Sequence, residues 1–166
     1  RQRQLGPDRD EGARTFALSL SPEYQSAVRT VGSVSVTSYF WAYHPAAGQA
    51  TLETAARAIE LYTRLFGPYP HRSLAVVEAD FLDGMEYDGL FFLSNGFYNL
   101  YDGTPASYLV ALAAHETAHQ WWFSAVANDQ ALEPWLDEAL CTYSERLYLE
   151  TYAPEAVDWW LQVRVL

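Results

Sequence analysis

The 166 residues contain a single cysteine and a single methionine. One thiol, Cys141, excludes an internal disulfide and any multi-cysteine zinc site, and it leaves the redox compartment open. Positive charge is also scarce. Ten Lys and Arg face 21 Asp and Glu, a formal net charge of −11, and the basic residues form no cluster. Nucleic acid and anionic membrane surfaces both require a concentrated basic footprint, so this balance counts against either as a partner. No apolar run reaches the roughly 20 residues that span a bilayer, and no signal peptide is visible. That last absence is weak, because the chain opens on "RQRQLGPDRDEGAR" without an initiator Met and closes on "DWWLQVRVL" inside an amphipathic helical pattern. Both ends lead us to expect a piece of a longer protein.

Half of the residues are apolar, enough for one compact domain or lobe with a real core. Residues 1–13 are polar, with two Gly and a Pro, and read as a linker or frayed terminus; residues 14–166 read as the lobe itself. Alternation of apolar with small or polar residues predicts strands over 15–21 and 31–44, joined by a turn at Ser21-Pro22-Glu23. Helical spacing of Leu52, Ala55, Ala56, Ile59, Tyr62, Leu65 and Phe66 predicts a helix over 46–67, stopped by Gly67-Pro68. A short β-branched run, 73–79, fits a central strand, and 85–94 a neighbouring one after the Asp83-Gly84 turn. Thr104 and Pro105 suit the N-cap and first residue of a helix running to about Val126. Glu133-Pro134 and Ala153-Pro154 open two more. Strands first and helices second make an α+β lobe with a small, mostly antiparallel sheet packed on helices.

The chemistry concentrates in "LAAHETAHQWWFSAV". His115 and His119 are four apart, so a helix projects both from nearly one face, one turn apart, where they can reach the same ion. Glu116 lies between them on an adjoining face. A catalytic zinc needs a third protein ligand, an open position for water and a base beside that water. The pattern His-Glu-x-x-His supplies two ligands and the base. Glu138, with 18 residues between it and His119, falls in the first turn of the next predicted helix, which can pack antiparallel and deliver the carboxylate. Such a set suits one zinc ion per chain better than other divalent metals. Asp129, Asp137 and Glu145 could each orient a ligand, and the sequence does not choose among them.

"HETAHQWWFSAVANDQALEPWLDEALCTYSE" resembles the zinc segment of the M1 aminopeptidases, gluzincins with His-Glu-x-x-His followed after eighteen residues by Glu. "DGMEYDGLFFLS" resembles the same family's Gly-x-Met-Glu-Asn exopeptidase motif. Tyr87 stands where Asn is usual, and Asp137 and Ala139 vary around an intact Glu138. The resemblance implies a thermolysin-like lobe in which His115, His119 and Glu138 ligate zinc and Glu116 is the general base. It further implies that Glu86 holds the α-amino group of a peptide substrate with a free N-terminus. Gly84 would allow close backbone approach, and Met85 would pack beneath or line the first subsite.

The expected activity is therefore hydrolysis of the N-terminal peptide bond. The family stabilises the oxyanion with a tyrosine well downstream of the third ligand, whereas this chain ends 28 residues after Glu138. Tyr143, Tyr148 and Tyr152 lie too near and read as packing residues. N- and C-terminal domains that close over the zinc lobe in the family do not fit into this length either, so weak or no activity is expected of the piece alone, with apolar surface exposed around Trp159, Trp160 and Leu161. The rival readings are a zinc hydrolase of other specificity, endopeptidase or dual-function, and a binding module that keeps the metal for stability alone. His44 and His71 read as strand-end or surface residues outside the zinc set.

Overall fold

A computed structural model describes residues 13–165 of the chain. The linker expected over 1–13 lies, apart from Ala13, outside the described residues. The first hairpin differs from the one the alternation predicts. β1 (Tyr24–Val31) and β2 (Val34–Trp41) pair antiparallel about a turn at Gly32 and Ser33. Residues 15–21 join no strand ladder among the described residues. Their alternation is real but runs in the opposite sense: Phe16, Leu18 and Leu20 are exposed, while the residues between them are half-buried. Side chains fasten this stretch instead. Asp88 Oδ2 accepts from the Thr15 N–H at 2.7 Å and from its hydroxyl at 3.1 Å.

α1 (Pro45–Phe66) and β3 (Ser73–Ala79) match their predicted spans within a residue. Pro45 opens the helix where a missing N–H costs nothing, and Leu52, Ala55, Ala56, Ile59 and Tyr62 are buried. The strand predicted over 85–94 is two strands, β4 (Gly84–Tyr87) and β5 (Leu90–Ser94), antiparallel about Asp88-Gly89. Gly89 takes a φ of 69°, a left-handed conformation that glycine adopts at little cost.

The sheet order is β1-β2-β3-β5-β4. Both outer pairings are antiparallel and both inner ones parallel, so the sheet is mixed. α2 (Asn95–Leu100), a short helix with no clear sequence signal, leads from β5 towards α3 (Tyr108–His119). Val36, Leu74, Val76, Phe91 and Leu93 are buried against α1 and α3, each contributing about 1.5–3 kcal/mol of apolar burial.

α3 begins at Ser107, whose hydroxyl accepts from the Val110 N–H at 3.4 Å. Thr104 is not the cap: its N–H is held by Asp102 Oδ1 at 3.0 Å in the preceding turn. Every residue from Leu109 to His119 is buried, the signature of a helix surrounded on all sides. The Tyr62 hydroxyl donates to Ser144 O at 2.9 Å and approaches Ala114 O at 3.3 Å, tying α1 to both α4 and α3. After His119 the helix widens into a π-helical turn, Gln120–Ala125. α4 (Trp135–Tyr152) packs on α3, and α5 (Val157–Trp160) follows a 3-10 turn. Trp160 is buried and Trp159 and Leu161 are half-buried, so the exposed patch expected there is absent. Among the described residues no helix is long and apolar enough to cross a membrane.

Candidate metal centre

The all-round burial of α3 brings His115 and His119 to the middle of the lobe, one turn apart, with their Nε2 atoms 3.1 Å from each other. α4 packs across α3 and presents Glu138 from its first turn, where a carboxylate also meets the positive end of the helix dipole. Glu138 Oε2 lies 3.1 Å from His115 Nε2 and Oε1 lies 3.8 Å from His119 Nε2. The three residues singled out by spacing therefore converge on one point, with Glu138 half-exposed and both histidines buried.

Of the three candidate orienting residues, one hydrogen-bonds a histidine and a second lies near the other without bonding it. The His115 Nδ1–H donates to the buried Glu145 Oε1 at 2.7 Å, which turns the Nε2 edge of the ring towards His119 and Glu138. Glu145 is held from the far side. The Trp160 indole donates to its Oε2 at 2.7 Å, and the Arg164 guanidinium donates to Oε1 at 2.6 Å and Oε2 at 3.1 Å. Burial alone would raise this carboxyl, but His115 and Arg164 outweigh it and hold it below its ordinary value. Asp137 Oδ2 lies 3.9 Å from His119 Nδ1. Asp129 does neither; its carboxylate accepts from the Ala131 and Leu132 N–H groups in the loop.

Glu116 faces β4. It is buried, Oε2 has no hydrogen-bond partner, and burial pushes its carboxyl up to about 8. Gly84 makes room for it, since a Cβ at that position would sit 2.1 Å from Glu116 Oε1. Glu86 is buried at the same wall, raised above the ordinary glutamate range by burial, and its Oε1 accepts from the Gln130 side-chain amide at 2.6 Å. The same amide reaches Asp137 Oδ2, so Gln130 links the wall of β4 to the first turn of α4. Met85 is not among the residues lining the cleft. Successive strand residues alternate faces, and Met85 pairs with Phe92 while Glu86 pairs with Phe91.

Gln130, Trp160 and Arg164 are positioned here without having been singled out from the sequence. Arg164, the one cation in the apolar run "WWLQVRVL", was the available signal; Gln130 in a loop gave none. His44 and His71 stand apart, the former on Glu78 and Asn99 and the latter on Ser124. Tyr148 is buried as packing and Tyr143 is exposed.

The model of the peptidase family M1 domain matches residues 50–166. The chain belongs to peptidase family M1. It is 31% identical over 120 residues to aminopeptidase M1-D of Oryza sativa subsp. japonica, which covers 68% of this chain and 14% of the rice protein. The M1 zinc metallopeptidase of Deinococcus radiodurans, solved both as such and as a point mutant, superposes with a TM-score of 0.62 at 25% identity. That match covers 86% of this chain and 33% of the Deinococcus chain. This M1 chain therefore spans about a seventh of the rice relative and a third of the Deinococcus one, and the α+β architecture expected of it is the one those structures share.

The family implies zinc, and the donors of this M1 lobe fit it. Burial disfavours a charged His115, yet hydrogen bonds to Glu138 and Glu145 outweigh burial and hold it at about 10. Burial and the charge on His115 instead push His119 down to about 4. The two rings thus share a single positive charge among Glu138, Glu145 and Asp137, and a dication can take the proton's place. Two imidazoles and a carboxylate form a donor set suited to zinc, and the unpartnered oxygen of Glu116 lies buried beside them. A cleft of about 190 Å³ opens beside them, lined by Gly84, Glu86, Leu112, Glu116, Thr142 and Arg164 among others.

Proposed function

We propose that residues 14–166 form the zinc-holding lobe of an aminopeptidase that removes the first residue of peptides bearing a free N-terminus. In this reading His115, His119 and Glu138 hold one zinc ion, Glu116 is the general base and Glu86 receives the substrate's ammonium. Zinc held there supplies Lewis acidity towards a water and the scissile carbonyl. Glu116 accepts the proton of the attacking water and passes it to the leaving amine, a role worth roughly 10²–10⁴ in rate. Glu86 pairs with the ammonium and sets how far the peptide enters.

One observation carries the exopeptidase reading: oxygens of Glu86 and Glu116 and a ring nitrogen of His119 lie within 4.8 Å of one another. In any peptide the scissile carbon lies only about 2.5 Å from the terminal nitrogen across two covalent bonds. An ammonium seated on Glu86 therefore leaves space for a single residue before the metal donors. The rice relative named an aminopeptidase supports the same specificity.

The test compares, in the full-length protein, cleavage of free and N-acetylated peptides by the wild type and by the Glu86→Gln and Glu116→Gln variants. The expected result is turnover of free peptides only, weakened with loss of amine discrimination in Glu86→Gln and lost with zinc retained in Glu116→Gln. Equal cleavage of acetylated peptides would favour an endopeptidase or other hydrolase. Zinc binding with no turnover in the full-length protein would favour a metal-stabilised binding module.

A further inference from the structure

α4 offers the metal centre a second donor. Cys141 follows Glu138 by three residues and so shares its helix face. Its side chain is fully buried, and its sulfur and a ring nitrogen from each of His115 and His119 all lie within 4.8 Å of one another. The cysteine does not stand alone in indicating a ligand. The two buried imidazoles turn their Nε2 atoms to each other at 3.1 Å, an approach that an ion shared between them relieves.

We propose that Cys141, His115 and His119 form a soft donor set, overlapping the zinc site, that takes thiophilic d¹⁰ cations such as cadmium. Thiolate selects soft ions where carboxylate does not. Glu138, the carboxylate of the zinc set, has a side chain 53% exposed, so the sulfur is the more buried of the two donors that α4 presents. Around a tetrahedral zinc, sulfur and nitrogen ligand atoms lie about 3.6 Å apart, from bond lengths of about 2.3 and 2.05 Å. Edges of up to 4.8 Å close with less contraction on a larger ion. Binding breaks the S–H bond, releases the proton to solvent and forms a sulfur–metal bond, with no change of oxidation state. The two sets share both histidines, so cadmium competes with zinc. The inference rests on the convergence of His115 and His119 used in the functional reading, but not on peptidase activity.

The experiment is a titration of the purified protein with cadmium, read by the ultraviolet thiolate-to-cadmium charge-transfer band, beside Cys141→Ser and His119→Ala. The expected band saturates at one equivalent, is absent from Cys141→Ser and needs at least tenfold more cadmium in His119→Ala, while Cys141→Ser still binds one zinc. No band in the wild type, or a band unchanged in His119→Ala, overturns the proposal. Should Cys141→Ser fail to fold, the cadmium-113 resonance of the wild type decides: a sulfur-ligated shift supports the set, and a shift for nitrogen and oxygen ligands alone overturns it. Zinc uptake without a thiolate band refutes the soft set and leaves the zinc reading standing; loss of both refutes the shared donor site.

Discussion

Gly84 and Glu116 touch across the cleft, so closely that one added methyl group on the strand would fall 2.1 Å from the carboxylate oxygen of the helix. Gly84 cannot gain a side chain without moving Glu116. Gly84→Ala is expected to push Glu116 out of line and lower turnover by roughly 10²-fold or more, the range for losing a general base. Zinc content should stay at one per chain, because the ligands lie on other residues. Elemental analysis beside a peptidase assay checks this, and full activity in the variant would mean that the contact does not position Glu116.

Glu145 is the only carboxylate on the outer nitrogen of His115 among the described residues. Glu145→Gln keeps the shape and removes the charge that fixes the ring. Zinc affinity should fall roughly 10–100-fold, as measured by competition with a chromophoric chelator, with the far-ultraviolet circular dichroism unchanged. Unchanged affinity would show that packing alone orients the ring.

Zinc should stabilise the fold in proportion to its free concentration. At about 100 times Kd the linkage is about 2.7 kcal/mol, which for a domain of this size raises Tm by roughly 5–10 °C. Chelation should reverse the shift and His119→Ala should abolish it. A Tm indifferent to zinc would place the ion outside the folded core.

Acid should loosen the stretch before β1. Burial would raise the Asp88 carboxyl, but hydrogen bonds from Ser124, Thr15 and Arg14 outweigh it and lower it below the ordinary value of 3.8. The folded chain thus binds this proton more weakly than the unfolded one. The resulting stability is present above pH 3.8 and is lost as pH falls through that value and the lower folded one. Protease nicking near residues 15–21 should rise below about pH 4, and Asp88→Asn should nick at neutral pH. Equal nicking of wild type and variant at pH 7 would refute the clasp.

The convergence of the proposed metal donors was legible because their spacing is a property of single helices: His115 and His119 needed only a helix, and Glu138 needed only the next one. What surrounds them was not legible, because it depends on packing between distant segments. Glu145 could be named but not chosen over Asp129 until α4 met α3. Gln130 reaches Glu86 across 44 residues, a relation no local pattern encodes. The strand errors have a different origin. "MEYDGLFFLS" holds an Asp-Gly turn within a continuous apolar run, and the apolar pattern masked it. In 15–21 the alternation predicts a half-buried strand, whereas the apolar side chains of Phe16, Leu18 and Leu20 face out.

The hold of Arg164 and Trp160 on Glu145 bears on the order in which a ribosome delivers the parts. Both imidazoles and Glu138 leave the exit tunnel before the groups that fix the carboxylate behind His115. A nascent chain that has emerged only as far as α4 therefore carries every proposed zinc donor but not the clamp that aligns the first of them. Metal captured at that moment should be held more loosely than after Trp160 and Arg164 have docked on Glu145, by the roughly 10–100-fold that a ligand's orienting partner is worth.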